Sequence, residues 1–175
     1  MKSAYMIRCE LNYNGRASDN KLRLFCEGVG YFPVFTGLGS LKDTLQFSRR
    51  KNGPIPLGKY WIIEKPTGGL KSQLKSFGNA IRTGNNYSEW FALYRQDLNV
   101  DDYTFVDAFE RGNFRLHPLR PDGTGESDGC VTFYHRFDFD LVRKALLRTS
   151  RQPIRDTNII AFGELNVIGT PNYEK

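Results

Sequence analysis

The sequence predicts a mainly β domain carrying one or two short helices. Three observations carry that expectation: apolar and polar residues alternate in the early segments, turn residues separate successive runs, and one late segment has helical spacing. At 175 residues the chain is long enough for one core and too short for two comfortable domains, so residues 1–175 read as a single domain. A hydrophobic content of 39% and an aromatic content of 14%, with no low-complexity tract, exclude a disordered chain.

Tyr5, Ile7, Cys9, Leu11 and Tyr13 alternate with Arg8, Glu10 and Asn12, and Leu22, Leu24 and Cys26 alternate with Lys21, Arg23 and Glu27. A hairpin through residues 14–20 then sets Cys9 and Cys26 on one face as cross-strand neighbours. With no C-x-x-C pair, the three cysteines argue against a zinc site or a disulfide framework. Cys9 and Cys26 read as buried thiols in a reducing compartment, with a disulfide as the alternative in an oxidising one.

Further strands are expected at 31–36 and 46–48, with Gly37, Gly39 and Ser40 marking a loop between them. Gly53-Pro54-Ile55-Pro56 is a stiff, extended entry to a strand at 59–63, because each proline fixes its own φ and biases its predecessor to β. Leu70, Leu74, Phe77 and Ile81 recur at helical spacing and predict a short helix within 65–89, weakened by Gly78. That segment reads either as a flap over a site or as a surface helix. Strands are expected at 90–94, 103–108, 113–117 and 131–134. Asp138 and Asp140 open a helix with Leu141, Val142, Ala145 and Leu146 on one face and Lys144 and Arg148 toward its end, as the helix dipole favours. A strand at 159–168 completes the pattern, followed by a loose tail.

The chemistry concentrates in two runs, Phe114-Arg-Leu-His-Pro and Ser127-Asp-Gly-Cys130. A thiol attacks only as thiolate and is mostly protonated at neutral pH, so a cysteine nucleophile needs a base beside it. His117 is the candidate base. Gly129 lets the backbone approach closely and can turn the Cys130 amide toward a developing oxyanion, while Ser127 can bond the imidazole or the loop. The structural alternative makes His117 a strand end, Cys130 a small buried hydrophobe and the glycines a turn. His135 reads as a surface residue or one that supports the site from behind, rather than as the base.

These runs resemble the catalytic signature of L,D-transpeptidases of the YkuD type. Gly53-Pro-Ile-Pro-x-Gly-x-Tyr60, preceded by Phe32-Pro-Val-Phe-Thr-Gly37 and followed by Trp90-Phe-Ala-Leu-Tyr94, narrows the likeness. In order and spacing the whole resembles the type VI secretion L,D-transpeptidase effector family. The resemblance implies an L,D-transpeptidase-like β-sandwich or β-barrel, with the segment at 65–89 as a capping insertion. It implies Cys130 as nucleophile, His117 as base and Ser127 as their helper, with Gly129 and Asp128 in the oxyanion loop. Tyr31, Thr36 and Arg115 are weaker candidates for substrate contacts. The implied substrates are peptidoglycan stem peptides and D-amino acids, trimmed from tetrapeptide to tripeptide or exchanged at the terminal D-alanine. An immunity protein and secretion-apparatus components are the implied partners. Two departures stand out: Asp128 replaces the usual His before Gly-Cys, leaving His117 as the base, and Thr132 stands where cell-wall-building members commonly have Arg.

The formal charge is +6, with only Arg49-Arg50-Lys51 forming a compact basic run. It suits an anionic partner or simply a soluble surface. Two histidines and scattered carboxylates give no metal-ligand spacing, and no cofactor is expected. No apolar stretch reaches the ~18 residues of a membrane span, and the N-terminal apolar run is broken by Arg8, so no signal peptide is expected. The implied route is synthesis in the bacterial cytoplasm and delivery by secretion to a target-cell periplasm. Two other readings are weaker. In a papain-like cysteine peptidase the nucleophile precedes the His and sits at a helix start, whereas here His117 comes first. A non-catalytic basic module binding cell-wall glycan or nucleic acid lacks any aromatic repeat or nucleic-acid motif in its support.

Overall fold

The computed structural model describes residues 5–64, 86–121 and 129–171. Alternation builds its first hairpin: β1 (Ile7–Asn12) pairs antiparallel with β2 (Leu22–Cys26), and β3 (Gly30–Thr36) follows on the far side of β2. The chain continues through β4 (Gly58–Glu64), β5 (Phe91–Arg95), β6 (Tyr103–Val106), β7 (Phe109–Gly112), β8 (Arg115–Pro118) and β9 (Val131–Phe133). A helix α1 (Arg136–Arg148), a two-residue β10 (Gln152–Pro153) and the long β11 (Ile160–Ile168) complete it.

The pairing order β1-β2-β3-β9-β8-β5-β4-β11 closes when β11 pairs in parallel with β1, from Ile7 opposite Gly163 to Asn12 opposite Ile168. The result is a barrel of eight strands, the closed form of the two architectures expected. Closure removes the exposed edges that β1 and β11 would otherwise present. One residue in two points inward, and Leu11, Leu24, Ile62, Leu93, Leu116 and Val131 form a core with essentially no solvent contact. Helix α1 adds Phe139, Val142 and Leu146 to that core, with Asp138 in its first turn and Arg148 in its last. On the opposite face of β4, β5 and β11 a smaller apolar cluster forms around Ile63, Ala92, Tyr94 and Ala161. Among the described residues no helix is long and apolar enough to cross a membrane.

Cys9 and Cys26 are direct cross-strand partners, both buried, with their sulfurs 3.0 Å apart. Both remain thiols. The hydrogen bond to Cys26, together with burial and the neighbouring sulfur, pushes the Cys9 thiol well above its ordinary range. Brief treatment of the folded protein with iodoacetamide should therefore leave Cys9 and Cys26 unlabelled, as peptide mapping would show. Rapid labelling of either contradicts this packing.

Two expected elements differ. Residues 46–48 are not a strand: Gln46 and Phe47 belong to a 3-10 turn, Leu45–Phe47, and Ser48 caps its end. The Asp43 carboxylate accepts the Thr36 amide at 2.8 Å and the Asp43 amide donates back to the Thr36 carbonyl at 2.8 Å. This folds the chain back as it leaves β3 and leaves 46–48 without a ladder partner. The strand expected over 103–108 instead stops at Val106, where Asp107 and Ala108 take φ of 47° and 69° and turn the chain into β7. That β6–β7 hairpin is a separate two-stranded ribbon. The helix expected within 65–89 lies outside the described residues up to 85; the remainder is a 3-10 turn, Tyr87–Glu89, whose Ser88 amide donates to the Asn86 side chain.

Candidate active site

The site rests on the one parallel pairing inside the barrel's run of neighbours, β8 beside β9, with Leu116 opposite Val131 and His117 opposite Thr132. Leu116, Val131 and Phe133 point into the core. By the period of two, Arg115, His117 and Thr132 therefore point to the outer face, and Cys130, immediately before β9, has the same parity. Cys130 and His117 are thus diagonal neighbours in the register of two adjacent strands. Ser127 and Asp128 lie outside the described residues.

His117 is 1% exposed and is held from three sides. Its Nδ1 lies 2.8 Å from the Pro118 carbonyl, its Nε2 lies 3.3 Å from Thr132 Oγ1, and Trp90 stacks on the ring at 4.1 Å with 16° between planes. A carbonyl only accepts, so Nδ1 carries the proton and Nε2 is the basic nitrogen, accepting from the Thr132 hydroxyl. Burial pulls the imidazole down to about 4; the Pro118 carbonyl opposes this, and the charges of Arg120 and Arg115 add to it. The ring is neutral at pH 7.

That buried neutral ring has a consequence for stability. The unfolded chain binds a proton on His117 near its ordinary value of about 6.5, whereas the folded chain does not until about 4. Between these values the unfolded state holds more protons, so stability falls as pH falls through the window. Denaturant melts at pH 7.5 and 4.5 should show the wild type losing about 2–3 kcal/mol more than a His117→Gln variant. Equal losses contradict a buried neutral imidazole.

The Cys130 loop is fixed by contacts the motif does not reveal. Cys130 is 7% exposed, and its Sγ lies 3.7 Å from the carbonyl of Asn113, a residue at φ 57° that breaks the chain between β7 and β8. Gly129 has φ 103°, and a Cβ there would lie 2.6 Å from the Phe114 ring and 2.7 Å from an Arg111 Nη2, so only glycine fits. Arg111 is itself buried, donating to the carbonyls of Ser48 and, at 3.0 Å, Gly53. It therefore clamps the stiff Gly53-Pro54 segment beside the Gly129 turn.

Among the weaker candidates, Thr36 is fully buried, donating to the Gly129 carbonyl at 3.2 Å and accepting the Ile55 amide at 2.8 Å. Its hydroxyl ties β3, the proline segment and the Cys130 loop together. Tyr31 lies at the other end of β3, 70% exposed and packed on Phe25 with ring centroids 4.7 Å apart. Arg115 lies on the outer face beside Cys130, bonded to Asp102 through both terminal nitrogens at 2.6 and 2.5 Å. Sequence reasoning missed Trp90, Asp102, Arg111, Asn113 and Thr132 as parts of the site. Trp90 did stand in a noted motif, but its stacking depends on a contact between distant segments that no spacing encodes.

A thiol, a neutral imidazole with a defined basic nitrogen, and a glycine turn on one face suit covalent acyl transfer. No curated protein matches the chain. The Tlde1 domain matches residues 30–157, which include β3 to β10, His117 and Cys130. The chain belongs to this family, the type VI secretion effectors of L,D-transpeptidase type.

Proposed function

We propose that the protein is a cysteine acyltransferase acting on peptidoglycan stem peptides, and that it serves as an antibacterial effector. The observation supporting this most directly is the placement of Cys130 and His117 as outer-face neighbours on β9 and β8 within a Tlde1-domain chain. In the proposed cycle His117 Nε2 exchanges the Thr132 hydroxyl for the Cys130 thiol and takes its proton. The thiolate forms a C–S bond to the carbonyl of the L-centre of the position-three diamino acid. The C–N bond to the terminal D-alanine breaks, and the leaving amine takes the proton back from the imidazolium. The Pro118 carbonyl and the Trp90 face favour the imidazolium while it lasts.

The thioester then partitions. Water gives a tripeptide and an L,D-carboxypeptidase; a free D-amino acid gives exchange; another stem peptide gives a cross-link. Trimming and exchange are the proposed outcomes, and an immunity protein in the producing cell is the proposed partner. The test is to incubate the protein with disaccharide-tetrapeptides, with and without D-methionine, and read product masses by liquid chromatography. Loss of one alanine, or its replacement by methionine, supports the reading. Unchanged masses with folded protein overturn it.

A further inference from the structure

Arg115 carries a charge that the proposed cycle leaves unused. It precedes His117 by two residues on β8 and so shares its face, and extending the β8–β9 register by one residue sets it opposite Cys130. Asp102 grips the end of the guanidinium, Nη1 donating to Oδ1 at 2.6 Å and Nη2 to Oδ2 at 2.5 Å. Nη1 also donates to the Phe114 carbonyl at 2.8 Å. The Asp102 carbonyl in turn accepts the Asn113 amide at 3.1 Å, so the anchor is tied to the segment that leads into β8.

These bonds occupy both Nη1 protons and one on Nη2. The Nε proton and the other Nη2 proton form the second edge of the fork, and this edge has no hydrogen-bond partner among the described residues. Two parallel N–H groups on a planar edge match the two oxygens of a carboxylate. The Arg115 side chain is only 13% exposed, so a carboxylate bound there is poorly screened by water. Burial works against the guanidinium's charge, and the Asp102 bonds, the Asp102 carboxylate and the Cys130 sulfur outweigh it, holding Arg115 protonated.

We propose that Arg115, fixed by Asp102, receives the α-carboxylate of the D-amino acid that leaves or joins the acyl group on Cys130. This rests on the acyl-transfer reading. That carboxylate is separated from the scissile carbonyl carbon only by the amide nitrogen and one α-carbon, so a site for it belongs beside the attacking sulfur. Arg115 thereby selects substrates ending in a free carboxylate, and Asp102 is a positioning residue that holds the open edge of the fork toward them.

The test compares two alkylating agents that differ in one carboxylate, iodoacetate and iodoacetamide, by their rates of Cys130 modification. In the wild type the iodoacetate-to-iodoacetamide ratio should exceed that of a small free thiol. Arg115→Met should lower the ratio roughly 10- to 100-fold, the range of a charge-assisted hydrogen bond. Arg115→Lys keeps a charge and a similar volume but loses the fork, and its ratio should fall between the two. An unchanged ratio in both variants overturns the proposal while leaving Cys130 as a reactive thiol. No labelling of Cys130 by either reagent contradicts the acyl-transfer reading and this inference together.

Discussion

Replacing Cys130 with alanine should abolish D-alanine release from tetrapeptides, with turnover falling by about four orders of magnitude or more, since no other group takes over the nucleophile's part. The fold should survive. The side chain is small, and the Gly129 turn is held by Thr36, Phe114 and Arg111 rather than by the sulfur. A melting temperature close to wild type, measured beside the muropeptide assay, separates loss of chemistry from loss of structure. Activity within tenfold of wild type would remove Cys130 from the mechanism.

His117→Asn should cost about two to four orders of magnitude in kcat/KM, the range for removing a positioned base. Asparagine is the informative replacement because alanine would leave a cavity under Trp90 and strand the Thr132 hydroxyl and Pro118 carbonyl without their partner. The thiol is already present, so the loss should shrink as pH rises and hydroxide competes as base. A pH-independent loss would instead point to a purely structural role for the ring. Thr132→Val offers a milder companion: it frees Nε2 of its resting partner and should leave the imidazole's stacking intact.

The start of the barrel was legible because β1 and β2 alternate with a period of two, while β5 and β9, buried on both faces, were legible as short apolar runs. Leu22, Leu24 and Cys26 announced β2, and the Cys9–Cys26 pairing followed from the register of one hairpin. Helix α1 was legible from its charges and from Val142 and Leu146, but it begins at Arg136 rather than at Asp138, and its buried stripe is completed by Phe139, while Leu141, expected on that face, is exposed. What failed was decided by contacts remote in sequence. Barrel closure depends on β1 meeting β11 across almost the whole chain, and nothing local to either strand specifies that partner. The turn at Asp107-Ala108 carries no Asn-Gly signal, so β7 went unseen. Residues 46–48 looked like a strand because three residues are too few for periodicity to mean anything.

The site divides in the same way. His117 and Cys130 were legible as residue types in a motif, and the backbone delivers them to one face of adjacent strands. Their supports were not. Arg111 reads in sequence as one more surface cation, yet it is buried and bonded to backbone carbonyls some 60 residues away. Thr132 first drew notice for the arginine it replaces, and its observed contact is with the imidazole. Asp102 carried no signal at all, since an isolated loop carboxylate has meaning only once Arg115 is beside it.

A covalent intermediate on Cys130 can be sought by acid-quenching the wild-type protein during turnover of disaccharide-tetrapeptide and mapping the acylated peptide by mass. A disaccharide-tripeptide acyl group should appear on the peptide containing Cys130, removable by hydroxylamine as a thioester should be. An acyl group on any other side chain, or turnover with the Cys130 peptide bare throughout, would contradict the acyl-transfer reading.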